Sequence, residues 1–155
     1  MFKKIARWTA LIFFLAFVGI QFVRPDRTNP EFDRGKDLAG TADLDSTCVS
    51  IFRRSCYDCH SMETRWPWYS NIAPVSWLLA KDVHTGRRHL NFSIWGKYAK
   101  TRRLKSLDDI RDELSSGEMP LPQYLLLHAE ARLSPAEKDS LLVWTVREKH
   151  RLESE

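Results

Sequence analysis

The longest unbroken run of apolar side chains lies near the start of the chain. From Ile5 to Val23 there are 19 positions, interrupted only by Arg7, Thr9 and Gln21. As a helix that run would be roughly 28 Å long, close to the ~30 Å of a bilayer's hydrocarbon core. Lys3, Lys4 and Arg7 stand at its head. A cleaved leader ends in small residues in an A-x-A-like pattern. This run instead ends Ile20-Gln21-Phe22-Val23-Arg24-Pro25, which is bulky throughout. The pattern predicts a retained signal-anchor, a transmembrane helix over residues 1–24. The positive-inside rule then places everything after Pro25 across the membrane.

Residues 25–43 hold Pro25, Pro30, Gly35, Gly40 and many charges, with little apolar periodicity. They are expected as a tether, and residues 44–155 as the folded domain. Asp45 or Ser46 caps a short helix in which Val49 and Phe52 share a face, ending before Cys56. Trp66, Pro67, Trp68, Tyr69 and Pro74 make residues 61–74 a stiff aromatic loop. A second helix opens at Pro74 or Val75 and closes at Gly86. A third runs from Leu107 to Ser116, with Leu107, Ile110 and Leu114 on one stripe, and stops at Gly117. Ser134-Pro135-Ala136-Glu137 is a capping box with proline at the first helical position, the start of a final helix. No segment alternates with period two for long enough to be a strand. The prediction is a small, mainly α domain.

Composition narrows the classes. The chain is 43% apolar and 28% charged with six glycines and seven prolines, which excludes collagen-like, low-complexity and wholly disordered chains. Its net charge of +4 hints at nucleic acid until it is located. Lys3, Lys4, Arg7 and Arg24 precede any acid and account for all of it, leaving the remainder formally neutral. No nucleic-acid partner is expected, since such a domain carries a basic face.

Candidate chemistry centres on Cys56-Tyr57-Asp58-Cys59-His60, a C-x-x-C-H stretch with the spacing of a c-type haem attachment site. Two thiols so spaced can add to two haem vinyl groups, and the adjacent His60 is then held beneath the iron as its proximal ligand. A thioredoxin-like dithiol would want a βαβ context, and a structural zinc site would want a second ligand pair. Neither is visible. Cys48 sits at an apolar helix position and is expected as a buried free thiol.

A second axial ligand is sought in Gly117-Glu118-Met119-Pro120. Met119 follows a helix-stopping glycine, precedes a stiffening proline and lies before a capped final helix. It is the expected distal ligand. Met62 lies too close to His60 in sequence to cross the ring, and His84, His89 and His128 are the other candidates. Trp66 and Arg65 are candidate haem contacts, an indole N–H or a guanidinium reaching a propionate. Alternatively, the loop aromatics form a satellite core.

Cys56-Tyr57-Asp58-Cys59-His60-Ser61, Thr64-Arg65-Trp66-Pro67-Trp68-Tyr69-Ser70, Ile72-Ala73-Pro74-Val75-Ser76-Trp77, Gly86-Arg87 and Leu90-Asn91-Phe92-Ser93 together resemble the bacterial haem-binding domain family. More broadly, the helix before Cys56, the Gly-x-Met-Pro and the final helix look like a monohaem class I cytochrome c. The resemblance covers about residues 40–150. It implies one covalent haem c on Cys56 and Cys59, His60 as proximal ligand and an N-terminal anchor. The resulting expectation is a cytochrome c-like helical domain on one transmembrane helix, single-pass in the bacterial inner membrane with its haem in the periplasm. Its function would be electron transfer with redox partner proteins and no catalysis. The alternative is a haem enzyme or a gas or redox sensor with an open distal site.

Overall fold

The computed structural model describes residues 2–154; Met1 and Glu155, the outermost residues of the expected segments, lie outside the described residues. The described chain forms α1 (Phe2–Ile20), α2 (Leu38–Thr41), α3 (Ser46–Ser55), α4 (Tyr57–His60), α5 (Val75–His89), α6 (Lys100–Ser116), α7 (Pro122–Leu125) and α8 (Pro135–Glu153). Short 3₁₀ turns link them at Arg34–Lys36, Trp68–Asn71, Phe92–Lys97 and Ala129–Ala131. There is no strand among the described residues, in line with the mainly α expectation.

Local chemistry explains where several helices begin and end. Asp45 caps α3 by accepting from the Cys48 N–H at 2.8 Å. At α8, Ser134 accepts from the Glu137 N–H while Glu137 accepts from the Ser134 N–H, so two orphan donors are satisfied reciprocally. α6 stops at Gly117, whose φ of 78° is open to glycine at little cost. The core gathers Phe52 of α3, Tyr57 of α4, Phe92, Leu107, Ile110 and Leu114 of α6, and Leu141 and Trp144 of α8. Phe52 lies between the rings of Phe92 and Trp144, with centroids 5.2 and 5.1 Å away in edge-on contacts. Each such side chain, fully removed from water, contributes roughly 1.5–3 kcal/mol.

Residues 25–43 lie along this domain. Leu38 is fully buried in the core, and Asp37 accepts from the Tyr57 hydroxyl at 2.8 Å. Arg27 donates to Ser70 and Asn71, and Asn29 donates to the Thr64 carbonyl. Arg87 of α5 reaches back to the Thr28 carbonyl and the Asn29 amide oxygen.

The expected transmembrane helix is not found, and with it falls the single-pass inner-membrane location. No helix among the described residues is long and apolar enough to cross a membrane. α1 spans 19 residues, but Lys3, Lys4 and Arg7 lie inside it. Its uncharged part, from Trp8 to Ile20, measures about 20 Å against the ~30 Å required. The last three residues of the apolar run are outside the helix, and two of them, Gln21 and Val23, are bonded to the domain. Gln21 donates to the Ala73 carbonyl and accepts from the Ala73 N–H, at 3.2 and 2.9 Å. The Val23 carbonyl accepts from the Trp77 indole at 2.7 Å.

Candidate functional site

The site is built on the break between α3 and α4. Cys56 ends one helix and starts the next, with φ −128° and ψ −36°. Its carbonyl accepts from the N–H groups of Cys59 and His60, at 3.2 and 2.9 Å. Cys56, Cys59 and His60 therefore share a single turn. α5 packs closely against that turn because residue 86 is glycine. A Cβ there would stand 2.7 Å from the Cys59 carbonyl oxygen and 3.4 Å from the His60 ring.

Beside this turn opens a cavity of about 720 Å³, within the range of small-molecule and cofactor sites. Cys56, Cys59 and His60 line it, together with the segment Glu118–Leu121, which includes Met119. Phe52, Phe92, Ile110, Leu114 and Leu141 give it an apolar lining continuous with the core. Its polar border includes Asp82 of α5, Asp109 and Glu113 of α6, and Glu118.

Burial sets the protonation of the chemical groups. The Cys56 and Cys59 thiols are pushed up to about 12, chiefly by loss of solvent, so both are S–H at neutral pH. A reactive dithiol shows the opposite shift. Burial also holds the His60 imidazole below its ordinary value, so it is neutral. Its Nδ1 lies 3.1 Å from the Leu90 carbonyl. With the hydrogen on Nδ1 donated to that oxygen, Nε2 carries the lone pair and the ring is oriented as a ligand. A neutral imidazole, two protonated thiols and a thioether sulfur around one largely apolar cavity fit a haem. No cluster of three or more histidine, cysteine or acidic side chains able to hold a metal ion occurs among the described residues.

All but one of the other candidates lie elsewhere. Arg65 and Trp66 do not border the cavity. Arg65 is paired with Asp58 at 3.1 Å, and the Trp66 indole nitrogen is buried without a partner. Met62 is outside it too, its N–H donating to the Ser93 hydroxyl. His84 bonds the Asp26 carbonyl and His128 bonds Tyr69 and Glu130, so of the three histidines only His89 borders the cavity. Cys48 is a buried free thiol, raised to about 11 by burial.

Sequence reasoning missed the polar face of α6 and the pair Asp58–Tyr124. Ser106, Asp109 and Glu113 recur at the three- and four-residue spacing of one helical face, a signal masked by the stronger apolar stripe beside it. Asp58 and Tyr124 are 66 residues apart, and no local pattern joins them.

Comparison with curated proteins and with solved structures gives no match. The family description "Haem-binding domain" matches residues 15–147, most of the chain, including the Cys56–His60 turn and every cavity-lining residue named above. The chain belongs to the haem-binding domain family.

Proposed function

We propose that this haem-binding domain carries one covalent haem c and acts as an electron-transfer protein. The observation that carries the proposal is the sharing of one cavity by Cys56, Cys59, His60 and Met119, which arrive from two separate stretches of chain. Haem supplies a one-electron couple between ferric and ferrous iron. Cys56 and Cys59 would hold the haem by adding their S–H groups across its two vinyl groups, sulfur to one carbon and hydrogen to the other, so that no oxidant would be consumed. His60, oriented by the Leu90 carbonyl, would bind the iron through Nε2. Met119 would supply the second iron ligand, a neutral thioether that would favour ferrous iron and a raised potential. With both ligands supplied by the protein, the domain would pass electrons rather than turn over a substrate.

The test is the haem-loaded full chain. Haem should stay with the polypeptide on a denaturing gel, and Cys56→Ser with Cys59→Ser should release it. Met119→Ala should erase the weak sulfur-to-iron absorption band and lower the reduction potential. Haem lost from the wild type on the gel would reject thioether attachment. An unchanged ferric spectrum in Met119→Ala would reject the ligand. Rapid carbon monoxide binding to the reduced wild type would replace the carrier with an open-site haem protein.

A further inference from the structure

Between the two cysteines of the attachment turn stands Asp58, a buried carboxylate whose side-chain partners come from other segments. Its Oδ2 accepts from the Tyr124 hydroxyl at 3.0 Å and from Arg65 Nη2 at 3.1 Å. Its Oδ1 accepts from the Arg65 backbone N–H at 3.0 Å and from Arg65 Nε at 3.2 Å. Tyr124 lies in α7, five residues after Met119. Its ring stacks on His128, with centroids 4.1 Å apart and planes 10° from parallel. His128 in turn lies 2.6 Å from the Tyr69 hydroxyl and 2.9 Å from the Glu130 carboxylate. The stretch after Met119 is thus fastened at its near end to α4 and at its far end to the aromatic loop.

The Met119 loop has weaker fixings of its own. Gly117 N–H to Leu114, Glu118 N–H to Ser116 and Met119 N–H to Glu113 measure 3.3, 3.4 and 3.4 Å, the long end of the hydrogen-bond range. The Tyr124–Asp58 bond, 3.0 Å between oxygens and partly shielded from water, ends on a carboxylate that Arg65 already fixes, so it ties the segment to a held acceptor on α4.

We propose that Tyr124 and Asp58 are positioning residues, which clasp the Met119 segment to the haem-attachment turn and keep its sulfur at the cavity. The clasp acts through Met119 and so rests on Met119 being the second iron ligand. Removing the hydroxyl lets the segment swing away without altering the cysteines, His60 or Met119. A hydrogen bond to a charged group shifts an equilibrium by on the order of tenfold or more.

The experiment titrates imidazole into the ferric, haem-loaded full chain and follows the absorption spectrum. Met119→Ala should bind imidazole most tightly. Tyr124→Phe should bind it on the order of tenfold more tightly than wild type at unchanged covalent haem content. Arg65→Gln, which leaves the hydroxyl–carboxylate bond in place, should shift affinity less than Tyr124→Phe. A merely structural role would lower the melting temperature of Tyr124→Phe but leave the imidazole affinity of the folded protein at the wild-type value. That result overturns the clasp while Met119→Ala still opens the iron. An unchanged ferric spectrum in Met119→Ala overturns the ligand and the clasp together. Amide hydrogen exchange over residues 119–128 gives a haem-independent readout. It should speed up in Tyr124→Phe and in Asp58→Asn, and wild-type protection in both would also overturn the clasp.

Discussion

Gly86 is a small residue on which the geometry of the Cys56–His60 turn depends. A methyl group there would meet the Cys59 carbonyl oxygen at 2.7 Å and its carbon at 3.3 Å, and neither backbone atom can rotate aside. Gly86→Ala must therefore push α5 away from α4, disturbing the His60 ring and the spacing of the thiols. Overpacking of this kind costs about 1–3 kcal/mol. A thermal melt should show that loss, and, with haem held as proposed on Cys56 and Cys59, haem staining should show incomplete attachment. Wild-type values in both would mean that the two helices separate freely. The grouping of Cys56, Cys59 and His60 in one turn was legible in the sequence because their spacing is local. Gly86 read there as a helix stop, yet α5 continues to His89. Its glycine serves a contact with residues 26 and 27 positions earlier, which periodicity cannot display.

Among the elements, α8 shows what a local signal can specify. Its capping box joins residues only three apart, so both halves were visible in one quartet of sequence. The Ser134 backbone N–H, the Arg54 guanidinium and the Ser134 hydroxyl hold the Glu137 carboxyl down at about 2, below its ordinary 4.5. A carboxylate lowered on folding stabilises the fold above its ordinary value and loses that effect as pH falls towards its folded value. Glu137→Gln should therefore melt earlier than wild type at neutral pH, with the gap closing as pH drops from about 4.5 to about 2. A gap independent of pH would show that the charge is not involved. α6 illustrates the opposite case. It starts at Lys100, seven residues before the apolar stripe begins at Leu107, and Ala99 offers no side-chain cap. Residues 100–106 offer only Leu104 to that stripe, too little of an amphipathic signature to mark the first two turns as helix.

On the scale of the whole molecule, the chain divides differently from its hydropathy profile. α1 buries no side chain, whereas Gln21, Val23, Arg27, Asn29 and Leu38 are all engaged with the domain. Apolar periodicity separates helix from loop, but it cannot register side-chain bonds made to partners 35 to 59 residues further on, as those of residues 21–29 are. A chain beginning at residue 21 should melt at the same temperature as the full chain. One beginning at residue 44 should melt lower, since deleting Leu38 alone forfeits roughly 1.5–3 kcal/mol of burial. Equal melting of all three would refute the packing of residues 21–43. The same packing fixes where the chain can be severed without harm. A protease able to cut between residues 2 and 19 would release a peptide and leave an intact domain. A cut after Arg27 or Arg34 would open the domain itself, so the fragment pattern of a brief trypsin digest reports directly whether residues 21–43 are in place.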